Sequence, residues 1–377
     1  MMHYFRFTLL IAALMLARTA MAQVLENGGF SFDGIDRSYI TYVPEIYDGS
    51  QPVPLVINLH GYTSNSTEQL LYGDFRPLAD TANFIIVHPD GTEDNFGFQF
   101  WNSFGTGGVD DVGFLSALID TMAAHYNIDL NCVYSTGMSN GGFMSYTLAC
   151  QLSNRIAAIA SVTGSMVVGQ QLLCNAQHPT PVMEIHGTND GTVAYNGSFG
   201  TEAIEDVVAY WVNFNGCNPV AEFSNVPDIV TSDNCNAEHY VYTDGENGSS
   251  VELYKIIGGD HSWPGAIINI NTTCMDFSAS AEIWRFFHQY KLNNLTTVPQ
   301  EARETLLVYP NPTANEIHLR FPEASAKEIA VVNPLGQEIY RENTAAQHVL
   351  LSLPVKGVYV VSVNNGEYLT TQKIIVQ

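Results

Sequence analysis

A serine between two glycines is the pattern in this chain best suited to nucleophilic chemistry. The segment Gly137-Met138-Ser139-Asn140-Gly141 has the form G-x-S-x-G, which places a serine on a sharp turn between a strand and a helix. An apolar run at 133–137 precedes the serine, and a helical pattern over about 142–152 follows it. Glycines are needed because side chains beside so tight a turn would collide. The motif and its context predict that Ser139 is a nucleophile at the edge of a sheet.

A serine hydroxyl needs a base to take its proton, and the base needs an acid that orients it. In folds with this turn, the acid precedes the histidine along the chain. Asp190 follows the strand-like run 182–186, and His261 follows the run 251–257. The carboxyl ends of parallel strands meet at one edge of a sheet. Ser139, Asp190 and His261 are therefore predicted to be nucleophile, acid and base of one site.

Other polar residues near these positions have plainer explanations. His186 ends a strand ahead of the acid, so a packed structural role is predicted for it. Asp260 adjoins the base in sequence, and its side chain is expected to point elsewhere. Helix capping explains at least one of Asp110 and Asp111. Ser165 lacks the spacing of the serine turn.

Negative charge that develops on a substrate oxygen needs two N–H donors, one from the residue after the nucleophile and one from a loop after an early strand. Asn140 supplies the first through its backbone. The segment 59–63 supplies the second, and Tyr62 is preferred to Thr63 as the donor. His60 could act as a second base, but support of this loop by hydrogen bonding is the favoured interpretation.

The composition excludes some classes of partner. The 377 residues include 14 Lys and Arg against 38 Asp and Glu, which gives a formal net charge of −24. So acidic a surface repels phosphate backbones and anionic lipid, and no nucleic-acid or membrane-surface partner is expected.

The first 22 residues have the pattern of a signal peptide. Arg6 provides a positive charge, residues 7–17 are apolar, and Ala20-Met21-Ala22 has the form of a cleavage site. The apolar stretch is too short to cross a bilayer comfortably, and no later segment has the length of a membrane span. The mature chain is predicted to be exported and to have no membrane span.

Six cysteines lie between positions 132 and 274. Export permits disulfides, but spacing alone leaves their connectivity open. No pair has the Cys-x-x-Cys spacing of a zinc site and the histidines do not cluster, so no metal site is expected.

Strand-like and helix-like segments alternate from Ser38 to about Tyr290, which predicts an α/β fold with a mostly parallel central sheet. Short β-branched runs indicate the strands, and these are 39–43, 55–60, 84–88, 133–137, 156–162, 182–186 and 251–257. One helix is expected to begin at Asp111 as its N-cap, and others cover about 142–152 and 278–290. Together with the serine turn, this order predicts an α/β-hydrolase.

The chain changes character near Leu295. Residues 295–303 form a polar connector, and the following residues contain alternating strand patterns, such as 316–321, without helical ones. A small all-β, sandwich-like domain is predicted there. The predicted division is signal peptide 1–22, α/β-hydrolase domain 23–294, linker 295–303 and C-terminal domain 304–377.

Four segments of the C-terminal domain match a known family in the family's order: Tyr309-Pro310-Asn311-Pro312, Asn333-Pro334-Leu335-Gly336-Gln337, Gly357-Val358-Tyr359-Val360 and Lys373. The domain resembles the type A sorting domain of the Bacteroidetes type IX secretion system. The resemblance implies recognition by that secretion machinery and delivery to the cell surface or the medium. A carbohydrate-binding β-sandwich is the alternative, but such modules usually need exposed aromatic residues, and this domain has no Trp.

A second resemblance covers roughly residues 30–290. Its matching segments are Leu59-His60-Gly61, Trp101-Asn102, Val109-Asp110-Asp111-Val112-Gly113-Phe114, the serine turn with Gly142, His186-Gly187-Thr188-Asn189-Asp190 and His261-Ser262-Trp263-Pro264-Gly265. In combination they resemble the secreted esterases grouped with polyhydroxybutyrate depolymerases and with the feruloyl and acetylxylan esterases of carbohydrate esterase family one. Family members often carry Cys where this chain has Tyr62, so only a backbone role carries over to that position.

The resemblance implies a serine esterase that works through an acyl-enzyme without a cofactor. Feruloyl or related plant cell-wall esters are the first expectation for its substrate, followed by acetylxylan and then by polyhydroxybutyrate or another polyester. Trp101 and Trp263 are the candidates for stacking on a phenolic acid or sugar, with packing of the loop as the alternative for Trp263. A thioesterase or peptidase would use the same three residues, and a cell-surface carbohydrate-binding protein on a hydrolase fold is the non-enzymatic alternative.

The family's spacing also implies two disulfides, Cys217–Cys235 and Cys150–Cys174. Exclusion would then pair Cys132 with Cys274. That pair is not expected, because Cys132 begins a strand whereas Cys274 follows the loop of the predicted base at the opposite sheet edge, and Cα atoms more than about 7 Å apart cannot be bridged without movement.

Overall fold

The computed structural model describes residues 24–103, 108–268, 271–295, 307–321, 324–333, 337–353, 355–364 and 369–376. The predicted signal peptide and most of the predicted linker lie outside these ranges.

A mostly parallel sheet of ten strands forms the centre of the first domain. The strands of this domain are β1 (Val24–Phe32), β2 (Ile35–Val43), β3 (Val53–Leu59), β4 (Ile85–Pro89), β5 (Thr92–Glu93), β6 (Gln99–Phe100), β7 (Ile128–Met138), β8 (Ala158–Val162), β9 (Val182–Gly187), β10 (Glu222–Asn225), β11 (Asn236–Tyr242) and β12 (Val251–Ile257). Neighbouring strands in the sheet follow the order β1-β2-β4-β3-β7-β8-β9-β12-β11-β10. The six from β4 to β12 are parallel, whereas β1, β2, β10 and β11 add antiparallel edges. Strands β5 and β6 form a separate two-stranded ribbon.

Helices fill the crossovers between the parallel strands. They are α1 (Ser66–Tyr72), α2 (Arg76–Ala82), α3 (Asp111–His125), α4 (Asn140–Gln151), α5 (Ile204–Phe214), α6 (Ala279–Phe287) and α7 (Leu292–Leu295). The predicted cap of α3 is off by one residue, because Asp110 rather than Asp111 accepts the Gly113 N–H at 2.8 Å. Within the described ranges, no helix combines the length and apolarity needed to cross a membrane.

The central strands are apolar throughout because both faces of the sheet are covered. Along β3, Leu55 and Ile57 join the core on one face and Val56 joins the core on the other. All three side chains are fully buried. Such continuous burial is characteristic of parallel strands with helices on both faces, and it explains why the strands were evident from the sequence.

The C-terminal domain is built from two antiparallel sheets. Its strands are β13 (Leu307–Tyr309), β14 (Glu316–Arg320), β15 (Lys327–Val332), β16 (Glu338–Thr344), β17 (His348–Ser352), β18 (Gly357–Asn364) and β19 (Leu369–Val376). The strand orders of the two sheets are β13-β14-β17 and β16-β15-β18-β19. Alternate residues such as Ile317 and Leu319 are buried in a core of its own. The predicted combination of an α/β fold and a small all-β domain is confirmed.

The cysteines confirm one expected pair and correct another. Cys150 and Cys174 form a disulfide, whereas Cys217 and Cys235 are separate thiols, so that pairing is wrong. The Sγ atom of Cys217 lies 3.9 Å from the Ser249 carbonyl, ahead of β12, and Cys235 immediately precedes β11. The two strands are antiparallel, so the length of seven-residue β11, roughly 20 Å, separates these cysteines.

A buried ion pair joins the edge of the sheet to the start of α3. A guanidinium nitrogen of Arg37 lies 2.7 Å from Asp111 Oδ1, and both side chains are almost completely buried. Asp111 Oδ2 accepts the Asn102 N–H at 2.7 Å, and the guanidinium lies over the Phe114 ring. The pair therefore fixes the segment that leads into α3.

We expect Arg37→Met to lower the free energy of unfolding by about 3–5 kcal/mol, because it leaves the Asp111 carboxylate buried without a counter-charge. The double variant Arg37→Met/Asp111→Asn should recover part of this loss, since the amide keeps an acceptor for the Asn102 N–H. Lys291→Met serves as a control, because its pair with Asp129 is half-exposed and should contribute at most about 1 kcal/mol. Denaturant unfolding followed by fluorescence measures all three, and equal losses for Arg37→Met and Lys291→Met would contradict the expectation.

Candidate active site

Ser139 stands on the turn between β7 and α4 in a strained conformation, with φ 53° and ψ −117°. Its N–H donates to the Val162 carbonyl at 2.8 Å, which fastens the turn to the neighbouring strand. A Cβ atom on Gly137 or Gly141 would lie 2.5 or 2.2 Å from the Leu59 carbonyl oxygen. Only glycine fits on either side, so this close packing against the end of β3 fixes where the serine stands.

Asp190 and His261 are joined by a hydrogen bond of 2.7 Å between His261 Nδ1 and Asp190 Oδ2. The other carboxylate oxygen accepts the N–H groups of Thr192 and Val193, both at 2.8 Å. Burial would raise the pKa of Asp190, but these hydrogen bonds and the adjacent imidazoles hold it well below its usual range. The aspartate is therefore an ionised acceptor with a fixed orientation, and it leaves Nε2 of His261 as the ring nitrogen that can take a proton.

The three residues follow strands whose carboxyl ends lie at one edge of the sheet. Ser139 directly follows β7, Asp190 follows β9 and His261 follows β12, and β8 lies between the first two of these strands. The Asn189 N–H donates to the Gly259 carbonyl at 2.9 Å, so the loops of the aspartate and the histidine touch.

A chain of buried polar side chains continues inward from Asp190. His186 Nδ1 lies 2.9 Å from Glu184 Oε1, and its Nε2 lies 2.8 Å from the Val193 carbonyl and 3.3 Å from Asp190 Oδ2. The Tyr146 hydroxyl on α4 donates to Glu184 Oε2 at 2.7 Å. Glu184 and His186 are fully buried. We call Tyr146, Glu184 and His186 the inner relay.

His186 in the inner relay has only oxygen acceptors on both ring nitrogens. A carbonyl cannot donate a hydrogen bond, so Nε2 must carry a proton toward Val193, and Nδ1 faces a carboxylate. Burial alone would lower the pKa of His186, but hydrogen bonds to Asp190 and Glu184 outweigh it and raise the pKa to about 9. Burial raises the pKa of Glu184 as well. Since the acceptor geometry favours an imidazolium, we assign a cation at His186 between two carboxylates.

The inner relay was not identified from the sequence, which predicted only a packed histidine. A pattern could have revealed it, since Glu184 and His186 alternate on an otherwise apolar strand and therefore lie on the same face of β9. A fully buried acid and base at that spacing must be paired or neutralised.

Tyr62 and Asn140 supply backbone N–H groups on either side of Ser139. Within the described part of the chain, neither N–H has an acceptor, whereas Thr63 donates its own to the Gln99 carbonyl at 2.9 Å. A Cβ on Gly61 would lie 3.5 Å from Ser139 Cβ, so the loop passes directly beside the serine. This geometry favours Tyr62 over Thr63 as the second donor to an oxyanion.

Side chains around the turn hold this loop in position. The Asn140 amide accepts the Trp101 N–H at 2.6 Å and donates to the Trp101 carbonyl. His60 accepts the Gly91 N–H on Nε2 at 2.9 Å, and its other ring nitrogen lies 2.7 Å from the Gly61 carbonyl. Burial lowers the pKa of His60. His60 is thus a neutral support for the loop.

Neither tryptophan offers a face to a substrate. Trp101 is fully buried and donates its indole N–H to the His60 carbonyl at 3.0 Å. Trp263 is 2% exposed, donates to the Ser280 hydroxyl and packs edge-on against Phe75. The stacking role expected from the sequence is therefore corrected to a packing role for both rings.

The remaining candidates have local partners. Asp260 accepts the backbone N–H of His261 at 2.8 Å, and Ser165 donates to the Glu202 carbonyl at 2.9 Å. Neither has a contact with Asp190.

Comparison with known proteins gives two family matches on separate parts of the chain. Residues 37–198 match the esterase family described as Esterase PHB depolymerase. Residues 307–377 match the Secretion system C-terminal sorting domain. This second match confirms the type IX sorting domain predicted from the sequence, and such a domain directs secretion to the cell surface or the extracellular space.

Relatives of the first domain are named as acetylxylan and feruloyl esterases. A bifunctional acetylxylan esterase/xylanase from Neocallimastix patriciarum is 30% identical over 241 residues, covering 64% of this chain but only 31% of the relative. Feruloyl esterase D from Neurospora crassa is 27% identical over 271 residues, covering 69% of this chain and 84% of the relative.

The fold of the first domain has a solved counterpart. An acetyl xylan esterase from Aspergillus awamori superimposes with a TM-score of 0.51 at 11% identity, covering 70% of this chain and 99% of that structure. The first domain is therefore similar in sequence, over residues 37–198, to the Esterase PHB depolymerase family and similar in fold to an acetyl xylan esterase, and residues 307–377 match the secretion-system sorting-domain family.

Proposed function

We propose that this protein is a secreted serine esterase in which Ser139, His261 and Asp190 form the catalytic triad. The observation that carries the proposal is the 2.7 Å hydrogen bond between His261 Nδ1 and an ionised Asp190, at the sheet edge where the strained serine turn stands. The division into a hydrolase domain at 23–294, a linker and a sorting domain from 304 is part of the same proposal.

The reaction proceeds in two halves. Ser139 Oγ attacks the ester carbonyl while His261 Nε2 takes its proton, and the backbone N–H groups of Tyr62 and Asn140 stabilise the negative oxygen of the tetrahedral intermediate. Protonated His261 then gives its proton to the leaving alcohol, which produces an acyl-enzyme on Ser139. Water, deprotonated by His261, releases the acid and restores the serine. Asp190 orients the imidazole and stabilises its charged form.

Feruloyl or related plant cell-wall esters are the proposed substrates, with acetylxylan and polyesters as alternatives. The names of the relatives support this choice, and they favour an enzyme over a carbohydrate-binding surface protein. With the tryptophans buried, Tyr62 and Phe98 become the rings available to a phenolic group. Each is about half-exposed, and the two pack edge-to-face at 5.9 Å beside the loop that passes Ser139.

Ser139→Ala should abolish hydrolysis of a short p-nitrophenyl ester, with a loss of about 10⁴-fold or more, because triad members act as a unit. Initial rates of the purified protein measure the loss, and circular dichroism checks the fold. Ser165→Ala is the matched control and should retain activity, since its hydroxyl bonds only backbone carbonyls. A folded Ser139→Ala protein with near wild-type turnover would contradict the proposal.

The inner relay should tune the pH dependence of hydrolysis. Glu184→Gln removes a buried negative charge behind Asp190, so the histidine base should be harder to protonate and the acid limb of kcat/KM should move to lower pH. His186→Gln removes the buried cation and should move the limb to higher pH. Shifts of about half a pH unit or more are expected for charges this close in a buried site. The double variant removes one charge of each sign and should return the limb toward its wild-type position.

His178→Gln is the control for these pH profiles. It is likewise a buried histidine with an oxygen at each ring nitrogen, but both oxygens are backbone carbonyls, at 2.7 Å, and it precedes β9 rather than following it toward Asp190. A structural role alone predicts lower activity without opposite shifts. If the acid limb moved in the same direction in Glu184→Gln and in His186→Gln, the charge-balancing role would be ruled out.

Phe98→Ala should lower kcat/KM for methyl ferulate by about fivefold while changing p-nitrophenyl acetate hydrolysis by less than twofold, because loss of a stacking ring costs about 1 kcal/mol. Phe223→Ala removes a similarly exposed ring on edge strand β10 and should change neither rate. A parallel assay on acetylated xylan and a polyhydroxybutyrate suspension ranks the substrate classes. Fast release from the polyester without ferulate release would overturn the proposed substrate class and leave the triad untouched.

A further inference from the structure

Two buried thiols lie side by side at the base of the His261 loop. The Sγ atoms of Cys235 and Cys274 and a carboxylate oxygen of Asp233 all lie within 4.8 Å of one another. Both cysteines are less than 10% exposed. Because nearly forty residues separate them in sequence, including two strands, only the fold brings them together.

The backbones that carry the two thiols are already held to each other. Asp233 Oδ1 accepts the Cys235 N–H at 3.1 Å, and Asp233 Oδ2 accepts the Met275 N–H at 2.8 Å. One carboxylate thus bridges the residue that bears the first thiol and the residue next to the second. A bond between the sulfur atoms needs movement of the side chains more than of the main chain.

We propose that Cys235 and Cys274 form a second disulfide in the exported protein. The sorting domain sends the chain to the cell surface or outside the cell, where conditions favour disulfides over paired thiols. The reaction is thiol–disulfide exchange with an external disulfide donor such as oxidised glutathione. The two thiols lose two protons and two electrons, the sulfur–sulfur bond forms between them, and the donor is reduced to two thiols.

The disulfide has to form before folding buries the two thiols. Burial raises the pKa of Cys274 to about 11 and raises that of Cys235 further. The thiolate is the attacking species in exchange, so the native pair reacts slowly once it is buried. Oxidation is therefore expected to accompany folding.

A metal ion is the competing occupant of this cluster, and the geometry argues against it. Structural zinc sites use four ligands, and the described residues bring together only two thiols and one carboxylate. Both oxygens of Asp233 already accept backbone N–H groups, so the carboxylate is committed to the main chain.

The bridge would anchor the segment that brackets His261. The Asp260 N–H donates to the Thr272 carbonyl at 3.0 Å, and the Gly265 N–H donates to the Cys274 carbonyl at 2.9 Å. These bonds fasten both sides of the His261 loop to the chain just before and at Cys274. The cross-link would tie that chain to the start of β11. Its value for catalysis rests on the proposed role of His261, whereas its existence does not.

Peptide mapping without reduction tests the bond directly on the full chain, refolded in a mixture of oxidised and reduced glutathione. The expected result is a peptide containing Cys235 joined to one containing Cys274, alongside the Cys150–Cys174 pair as internal control. Alkylation of both cysteines after denaturation without reductant would overturn the proposal. So would stoichiometric zinc, measured by elemental analysis, that keeps the two thiols reduced.

Thermal unfolding gives the second measurement. Cys235→Ala and Cys274→Ala should each lower the Tm of oxidised protein by about 5 °C or more, and the double variant should lose no more than either single one. Cys132→Ala is the matched control, since its thiol lies beside Asp129 rather than another cysteine. The bridge predicts little change in kcat/KM at 25 °C but faster thermal inactivation of the Cys235 and Cys274 variants. Additive losses of Tm would show two independent packing defects and contradict the bridge.

Discussion

The arrangement at the sheet edge depends on the negative charge of Asp190, whose carboxylate is buried away from water. In the proposed triad, Asp190 must stay ionised to hold His261 in the orientation that serves Ser139, yet burial of a lone carboxylate is strongly unfavourable. Each carboxylate oxygen of Asp190 has its own set of hydrogen-bond partners. Oδ1 takes two backbone N–H groups from the turn that follows β9, and Oδ2 faces His261 and His186. With all of these contacts made, the carboxylate has one orientation, and the imidazole that depends on it has one ring nitrogen left for chemistry.

The contact between Asp190 and His186 places a second charge in the protein interior. An imidazolium at His186 is itself a buried charge, and Glu184 provides its counter-ion with support from Tyr146. Two strands and a helix are thereby coupled, since Glu184 and His186 lie on β9, Tyr146 lies on α4 and His261 follows β12. All three side chains of the inner relay are fully buried, so none of them can contact a substrate. Its charges lie directly behind Asp190 and act on the electrostatic potential there, which accounts for an acid and a base on one face of an otherwise apolar strand.

The parts of the molecule that could be predicted from sequence are those set by local geometry. The turn at Ser139 requires glycine on both sides because the Leu59 carbonyl leaves no room for a Cβ, so its motif is visible in the residues themselves. The parallel strands were visible because both of their faces are buried. Contacts between distant segments were not visible. Exposure of Trp101 and Trp263 could not be read from their positions in motifs, and a family spacing misassigned Cys235, because pairing depends on which end of β11 each cysteine occupies.

The three residues of the proposed triad differ in how much tertiary support they need. Ser139 lies between a strand and a helix, and Asp190 follows β9 after two residues; both are fixed mainly by short-range backbone bonds. His261 instead lies in a stretch between β12 and α6 that has no regular structure among its described residues. The cost of ordering such a stretch grows with the number of residues that must be held. The hydrogen bonds to the Thr272 and Cys274 carbonyls join the two halves of this stretch to each other, and the packing of the Trp263 ring in the core holds the stretch to the rest of the domain. The buried tryptophan next to the base is thus explained as an anchor, and the same requirement accounts for the cysteine pair at the point where the loop returns to the sheet.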